Sequence, residues 1–407
     1  MTRAIELSIM ASSTNPVAEI RAVLAEFEAA QQVPVRVNVQ VMKWDTAWAE
    51  LVKMALYRHG PDVSEVGLTW SANLTAMDAL RPFTPAECDS FGGAGAFVSA
   101  LWNSEVSAPL QPRWSIPWNA HTYVLCYRRD LVERTGLNGA HAFDTTAHLT
   151  ETLAHLRASG VELPIIVPTS SVYVRDNLHL LASWVWGHGG HFLSPDGQRT
   201  LFLSPEALTG IRAYFNLYRY LPPATHELGV DEAYRLFLEG YAAVAIISAP
   251  HLSRYFHFHE IEAATVVREN LVTVPLPGVP YVGGSNLVIW KHVTADRLPA
   301  ALKLVRYLTG RHAQLLFGQR SGIPPARIDA LSDPFFVGEP FQAVAQALQT
   351  GRSYQSLERW GVVEEKLVAA LANIRSAVLA QPKIDLDEFI VQQLKPVARK
   401  LDLILGG

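Results

Sequence analysis

Valine alternates with other residues through VPVRVNVQV (33–41), the two-residue period of a strand with one buried face. Before it, Asn15 and Pro16 read as a helix N-cap and first helical residue. Ile20, Val23, Leu24 and Phe27 then recur at i, i+3, i+4 and i+7, the apolar stripe of an amphipathic helix. With the apolar start from Ile5 to Met10, the chain opens as strand, helix, strand. A second helix is predicted over 46–57, with Leu51, Val52 and Ala55 on one face, and a short strand over PDVSEV (61–66). Further strands are predicted over 121–128, 163–167, 243–248, 271–274 and 285–290, with a helix over 174–186. From 297 onward helices dominate, ending in 360–379 and 385–405. Strands alternating with helices define an α/β chain with largely parallel sheets.

At 407 residues the chain exceeds the size at which one core keeps growing, so two lobes are expected. No Pro/Gly-rich linker marks a single boundary, which implies that the lobes exchange the chain more than once. Hydrophobic residues at 49% against 18% charged place it among globular proteins. A net charge of −4 with no run of Lys or Arg argues against nucleic acid or an anionic membrane surface as partner. Cys88 and Cys126 allow one disulfide, but two free thiols are the expectation. The longest apolar run, 242–249, falls far short of a membrane span. At the start, Glu6 stands where a signal peptide needs its apolar stretch. The protein is therefore expected to be periplasmic or extracellular, lipid- or membrane-associated, if a leader was trimmed, and cytoplasmic if the chain is complete as given.

Motif chemistry is sparse. The chain holds no G-x-x-x-x-G-K-[ST] loop, no G-x-G-x-x-G after a strand, no H-E-x-x-H and no G-x-S-x-G. His188 and His191, and the cluster His257, His259 and Glu260, invite a metal reading, but a metal site needs three or four converging ligands with outer support. These segments read as helix ends and turns, and no metal or cofactor is expected. Cys126 shares a strand face with Val124 and Thr122, so its thiol points into the core, where a thiol without a cationic neighbour is inert. Asp62, Glu65, Asp130 and Asp144 show no spacing that makes a glycosidase pair. The tryptophans carry more. Trp44, Trp70 and Trp118 follow strand-like segments, and Trp184 and Trp186 precede a double glycine. Open α/β sheets present ligand sites at such strand ends. The placement favours a pocket in which indole rings stack on sugar faces, against the alternative that each is a core residue.

An ordered series of short segments now resembles the family 1 extracellular solute-binding proteins of ATP-driven sugar importers, the group that includes maltose-binding protein. The series runs through AVLAEF (22–27), GPDV (60–63), LRPF (80–83), IPW (116–118) and LCYRRD (125–130). It continues with WVWGHGG (184–190), FLEGYAAV (237–244), PLP (275–277), GGS (283–285) and GIPP (322–325), covering nearly the whole chain.

The resemblance implies a two-lobed periplasmic-binding-protein type II fold with hinge crossings and extra C-terminal helices. Lobe 1 would hold 1–117 and 275–322, and lobe 2 would hold 118–274 and 323–407, closing around a sugar in the cleft. Carried over by position, Ser12, Ser13, Trp44, Thr69, Trp70, Trp118, Asn119, Trp184, Trp186, Gly284 and Ser285 fall in that cleft. His251 stands where the family usually has an aromatic residue and would serve as a polar platform. The implied function is a non-enzymatic, monomeric receptor that delivers a carbohydrate to the permease of an ABC importer. A cytosolic or tethered sugar sensor, and an enzyme on the same architecture, are the competing readings.

Overall fold

In a computed structural model of the chain, the residues described are 3–11, 16–104, 112–139, 141–170, 174–225 and 227–406. Ser12 and Ser13 lie outside them. The chain divides into two compact units. The first comprises residues 1–121, 282–338 and 353–361; the second comprises 122–281, 339–352 and 362–407.

The first unit is built on a five-stranded sheet ordered β2-β1-β3-β9-β4. Its strands are β1 (Arg3–Met10), β2 (Val35–Met42), β3 (Val63–Gly67), β4 (Ile116–His121) and β9 (Gly283–Ile289). The valine alternation shows in the burial of β2, where Val37 is buried and Val35, Val39 and Val41 are half-buried while Arg36, Asn38 and Gln40 face solvent; Met42, on the latter face, is buried at the strand's end. Between β1 and β2 the Pro16–Ala29 helix buries the predicted stripe of Ile20, Val23, Leu24 and Phe27. β3, at the centre of the sheet, is buried throughout.

The second unit carries a four-stranded sheet ordered β6-β7-β5-β8, from β5 (Tyr123–Arg128), β6 (Leu163–Ile166), β7 (Ala242–Ser248) and β8 (Leu271–Pro275). Every residue of β7 is buried, matching its unbroken apolar run. On this sheet pack the helices Thr146–Ala158, Val230–Leu238 and Gln342–Thr350, while Val174–Gly187 packs on Pro205–Asn216 and Leu386–Leu405 lies on Pro205–Asn216 as well.

Three features depart from the sequence reading. The sheets are mixed: β1 pairs parallel with β2 and β3, and β6 with β7, but β9 runs antiparallel to β3 and β4, and β5 antiparallel to β7 and β8. The antiparallel strands are the ones at which the chain passes from one unit to the other, so no right-handed βαβ crossover dictates their direction. The strand expected over 121–128 is β5, which begins at Tyr123, while His121 ends β4 of the other sheet, a strand the sequence reading did not expect. Residues 323–338 and 353–361, expected in the second lobe, belong to the first unit. The N–H of Ala120 donates to the Pro324 carbonyl (2.8 Å) and that of Ala326 to the Trp118 carbonyl (3.2 Å), which adds this segment to the edge of β4. Ser356 N–H donates to the Ser104 carbonyl (2.7 Å), and the Asn73 amide to the Glu358 carbonyl (2.7 Å).

Candidate functional site

The PDVSEV segment supplies two carboxylates with opposite fates. Asp62, one residue before β3, takes a bidentate grip from Arg297 (2.7 and 2.5 Å) and accepts the Glu6 N–H (2.8 Å). A planar guanidinium meeting a carboxylate on two bonds ties β1 and β3 to the segment after β9. Three residues on, Glu65 is buried and, among the described residues, no cation pairs with it. Its carboxylate accepts the Met10 N–H (2.6 Å) and the Asn119 side-chain amide (3.3 Å). Burial pushes its pKa up to about 7, against the opposing pull of Met10, Ser285 and Asn119. The Ser285 hydroxyl, also buried, meets no partner at full hydrogen-bond geometry, although it lies close enough to favour the charged form of Glu65.

Strand alternation and the β3/β9 register sort the neighbourhood into two faces. Gly67 opposes Ser285, and Glu65 opposes Leu287, so Glu65, Ser285 and the Asn119 paired with Ser285 share one face. On the other face Val66 and Val288 enter a core with Met10, Met42, Leu51 and Trp290, against which Trp48, Trp70 and Trp114 are packed while only partly buried.

Three indoles gather there. Trp44 opens the Trp44–Tyr57 helix and keeps 39% of its surface exposed. Trp48 follows one turn later, and Trp70 arrives from the turn after β3. The Trp44 and Trp70 rings lie 5.6 Å apart in an edge-on arrangement, and Trp48 and Trp70 also 5.6 Å apart. Gly67 makes this possible, because a Cβ there would stand only 3.0 Å from the Trp70 ring. Thr69 beside it is partly exposed. Partly open, mutually supported rings offer faces on which sugar C–H groups can pack.

The remaining predicted residues are placed differently. Trp118 is buried and stacked on Phe317 (5.0 Å). Trp184 is buried edge-on against Tyr214 (5.3 Å). Trp186 is stacked near Tyr281 (6.5 Å) with the Arg352 guanidinium 5.2 Å from its ring, and 6% of it is exposed. Gly284, with φ +148°, serves its own sheet, since a Cβ there would collide with the Asn119 carbonyl oxygen. His251 sits in the first turn of the Ala249–Phe256 helix, its Nδ1 2.7 Å from the Ser248 hydroxyl and its ring 5.2 Å from Tyr234. Burial, and secondarily Arg254, lower its pKa to about 4 while Asp231 opposes, so the ring is neutral at pH 7. Sequence reasoning passed over Trp48 and the role of Glu65. The i, i+4 spacing of Trp44 and Trp48 was the available signal for the first; an isolated acid in a five-residue buried strand was the signal for the second.

The other titratable candidates have structural occupations. Cys126 is buried in β5 with its pKa raised by burial, and neither cysteine forms a disulfide. His188 contacts the Trp184 carbonyl, His191 the Arg352 side chain, and His257 stacks on Phe341 (3.8 Å). Among the described residues no three His, Cys, Asp or Glu groups converge as a metal site.

Two mixed sheets flanked by helices, with the chain passing between units several times, make a two-lobed α/β binding-protein fold of the periplasmic type. Residues 22–340 match the family model described as bacterial extracellular solute-binding protein, and the chain belongs to that family. No curated protein matches it in sequence. Among solved structures it is similar to the sugar-binding protein MalE from Xanthomonas citri, with a TM-score of 0.82 and 20% identity over 99% of this chain and 97% of that one. Maltose-bound MalE3 of T. maritima gives 0.76 and 20% identity over 99% and 100%. UgpB from Mycobacterium tuberculosis, in complex with glycerophosphocholine, gives 0.73 and 16% identity over 100% and 99%. The family and these structures are binding proteins, not enzymes. No helix among the described residues is long and apolar enough to cross a membrane.

Proposed function

We propose that the chain is the carbohydrate-binding subunit of an ABC importer, working outside the cytoplasm, and that it binds its sugar without converting it. The observation that carries this reading is the indole group Trp44, Trp48 and Trp70 at the carboxyl end of β3. That edge of an open α/β sheet is where such folds hold ligands. Stacking on an indole removes apolar area from both partners and is worth about 1–3 kcal/mol per ring. Thr69 supplies a hydroxyl beside the rings, and Asn119 and Ser285 supply polar groups on the opposite face of the same strand ends. In the second unit His251, with Tyr234 beside it, is the residue proposed to meet the ligand, as a neutral ring able both to donate and to accept.

The known ligands of similar proteins include both sugars and a phosphodiester, so the ligand class is what needs testing. Native mass spectrometry of the purified protein, followed by calorimetric titration with mono- and oligosaccharides and with glycerophosphocholine, separates them. Saturable one-to-one sugar binding with no change in the sugar's mass is the expected result. Binding of the phosphodiester alone, or stoichiometric conversion of the sugar, overturns the proposal.

A further inference from the structure

The net charge of −4 hides one strongly cationic face. The Leu386–Leu405 helix buries Leu386, Ile390, Leu394, Ala398, Leu401 and Leu405 on the second unit. Its opposite side carries Lys395, Arg399 and Lys400, all exposed, with Val391 at one end and Leu403, 81% exposed, at the other. Val391, Lys395, Arg399 and Leu403 are spaced four apart, so they form one inclined ridge along the helix. Pro396 stands beside this ridge and has no N–H to offer the carbonyl four residues back. These residues line a shallow recess of about 600 Å³ that no acidic side chain borders. None of the three cations makes a hydrogen bond or ion pair among the described residues. Glu365 on the Trp360–Ala380 helix feels Lys400 and is engaged by Lys366, and Asp402, three residues past Arg399 on the same helix, accepts from the Thr200 N–H and hydroxyl. Three cations without a pairing acid, framed by two exposed aliphatic side chains on a helix whose apolar face is turned to the protein, make a basic patch of the kind that anionic lipid attracts.

We propose that this face rests on an anionic membrane surface, with Lys395, Arg399 and Lys400 at the headgroups and Val391 and Leu403 reaching the boundary with the acyl chains. Charge complementarity identifies the occupant as anionic. A lipid surface is favoured over an acidic protein because the patch lacks the aromatic anchors and interleaved polar partners of specific protein interfaces. Each cation near such a surface is worth roughly fivefold in partitioning, so the three together give about a hundredfold. The contact would hold a receptor at the bilayer where its importer lies, and it uses no residue assigned to the sugar.

The test is co-sedimentation of the full chain with vesicles of phosphatidylcholine alone and of phosphatidylcholine mixed with phosphatidylglycerol, at low and high salt. Binding only to the mixed vesicles, weakened by salt, is expected. The triple variant K395Q/R399Q/K400Q should lose about a hundredfold, and L403D should weaken binding further than salt alone does, both with an unchanged thermal midpoint and unchanged sugar affinity. Soluble polyglutamate is the control. If it binds as well as the vesicles do, and L403D changes neither, the face is a plain cation-exchange surface and the proposal fails. Equal binding to both vesicle types, no binding to either, or full binding by the triple variant also overturns it.

Discussion

The tryptophans at the end of β3 and those of the Val174–Gly187 helix share one chemistry and differ in what covers their second faces. Trp70 rests on the apolar core and leans on Trp44 and Trp48, leaving part of the group open. Trp184 is enclosed, with Tyr214 against it, and Trp186 is covered by Tyr281 and Arg352. In the first group backbone economy makes room for the ring, since Gly67 lets Trp70 fold onto its own strand. In the second, glycines bring backbones together. Gly210 meets the Trp184 carbonyl and Gly187 meets Gly278, and the indoles fill the space that such close packing leaves. The indoles before the double glycine are thus packing elements where helices approach each other, and those at the strand end are the ones left open for the proposed ligand.

That contrast breaks most sharply on Trp184→Ala. Loss of a fully buried indole should cost about 3–5 kcal/mol of unfolding free energy. Trp44→Ala, at an exposed helix start, should stay within about 0.5 kcal/mol of the parent. Chemical denaturation midpoints compare the two directly, and equal costs would show that the first group is core as well.

Next in size is the carboxylate beneath the proposed site. Folding raises the Glu65 pKa from 4.5 to about 7, so between those values the folded chain keeps a proton that the unfolded chain has released. Its contribution is therefore fully present below about pH 4.5, falls as pH rises, and levels off above about pH 7. The loss is about 3 kcal/mol at most. Glu65→Gln, which keeps an acceptor for Met10 N–H, should flatten that part of the stability curve. A parent curve that does not fall over this window would assign Glu65 a cationic partner. The third effect is on binding. Trp70→Ala should weaken affinity for the sugar found in the calorimetric screen by about ten- to a hundredfold. A variant that melts far lower yet binds normally once folded would return Trp70 to the core.

The periodic elements were legible because periodicity follows from burial. The valine alternation of β2 and the stripe on Pro16–Ala29 needed only one buried face each. The ordered motifs carried the family, because each marks a backbone requirement or a crossing. Strand direction was not legible, since an apolar run such as that of β7 reads the same whichever way its neighbours point. The change of sheet at Thr122 was not legible, because the polar Asn119, His121 and Thr122 do not say that the residues before them form a strand of a different sheet. At the site, residue type located Trp44 and Trp70 at a strand end. It did not show that Trp118 and Trp184 would be enclosed, because the rings that enclose them, Phe317 and Tyr214, are far away in sequence or on another helix.

The smallest effect concerns the cap on Trp186. Arg352 holds its guanidinium 5.2 Å from the indole and lies 3.1 Å from His191 Nδ1, while its backbone N–H donates to the Pro280 carbonyl. Arg352→Ala leaves the backbone bond intact and removes only the side-chain contacts. A cation over an indole at an accessible position is worth about 0.5–1 kcal/mol, so the thermal midpoint should drop slightly. His191 gives a separate readout. Its pKa is held below the ordinary 6.5 by burial and then by the Arg352 charge, so removing that charge should raise it toward the ordinary value. Histidine titration by NMR measures the shift, and acrylamide quenching should show an indole newly exposed. Sugar affinity should stay at the parent value if Trp186 is only a packing ring. A gain or loss of affinity on uncapping would instead make Trp186 a second platform, and the division between the two tryptophan groups would no longer hold.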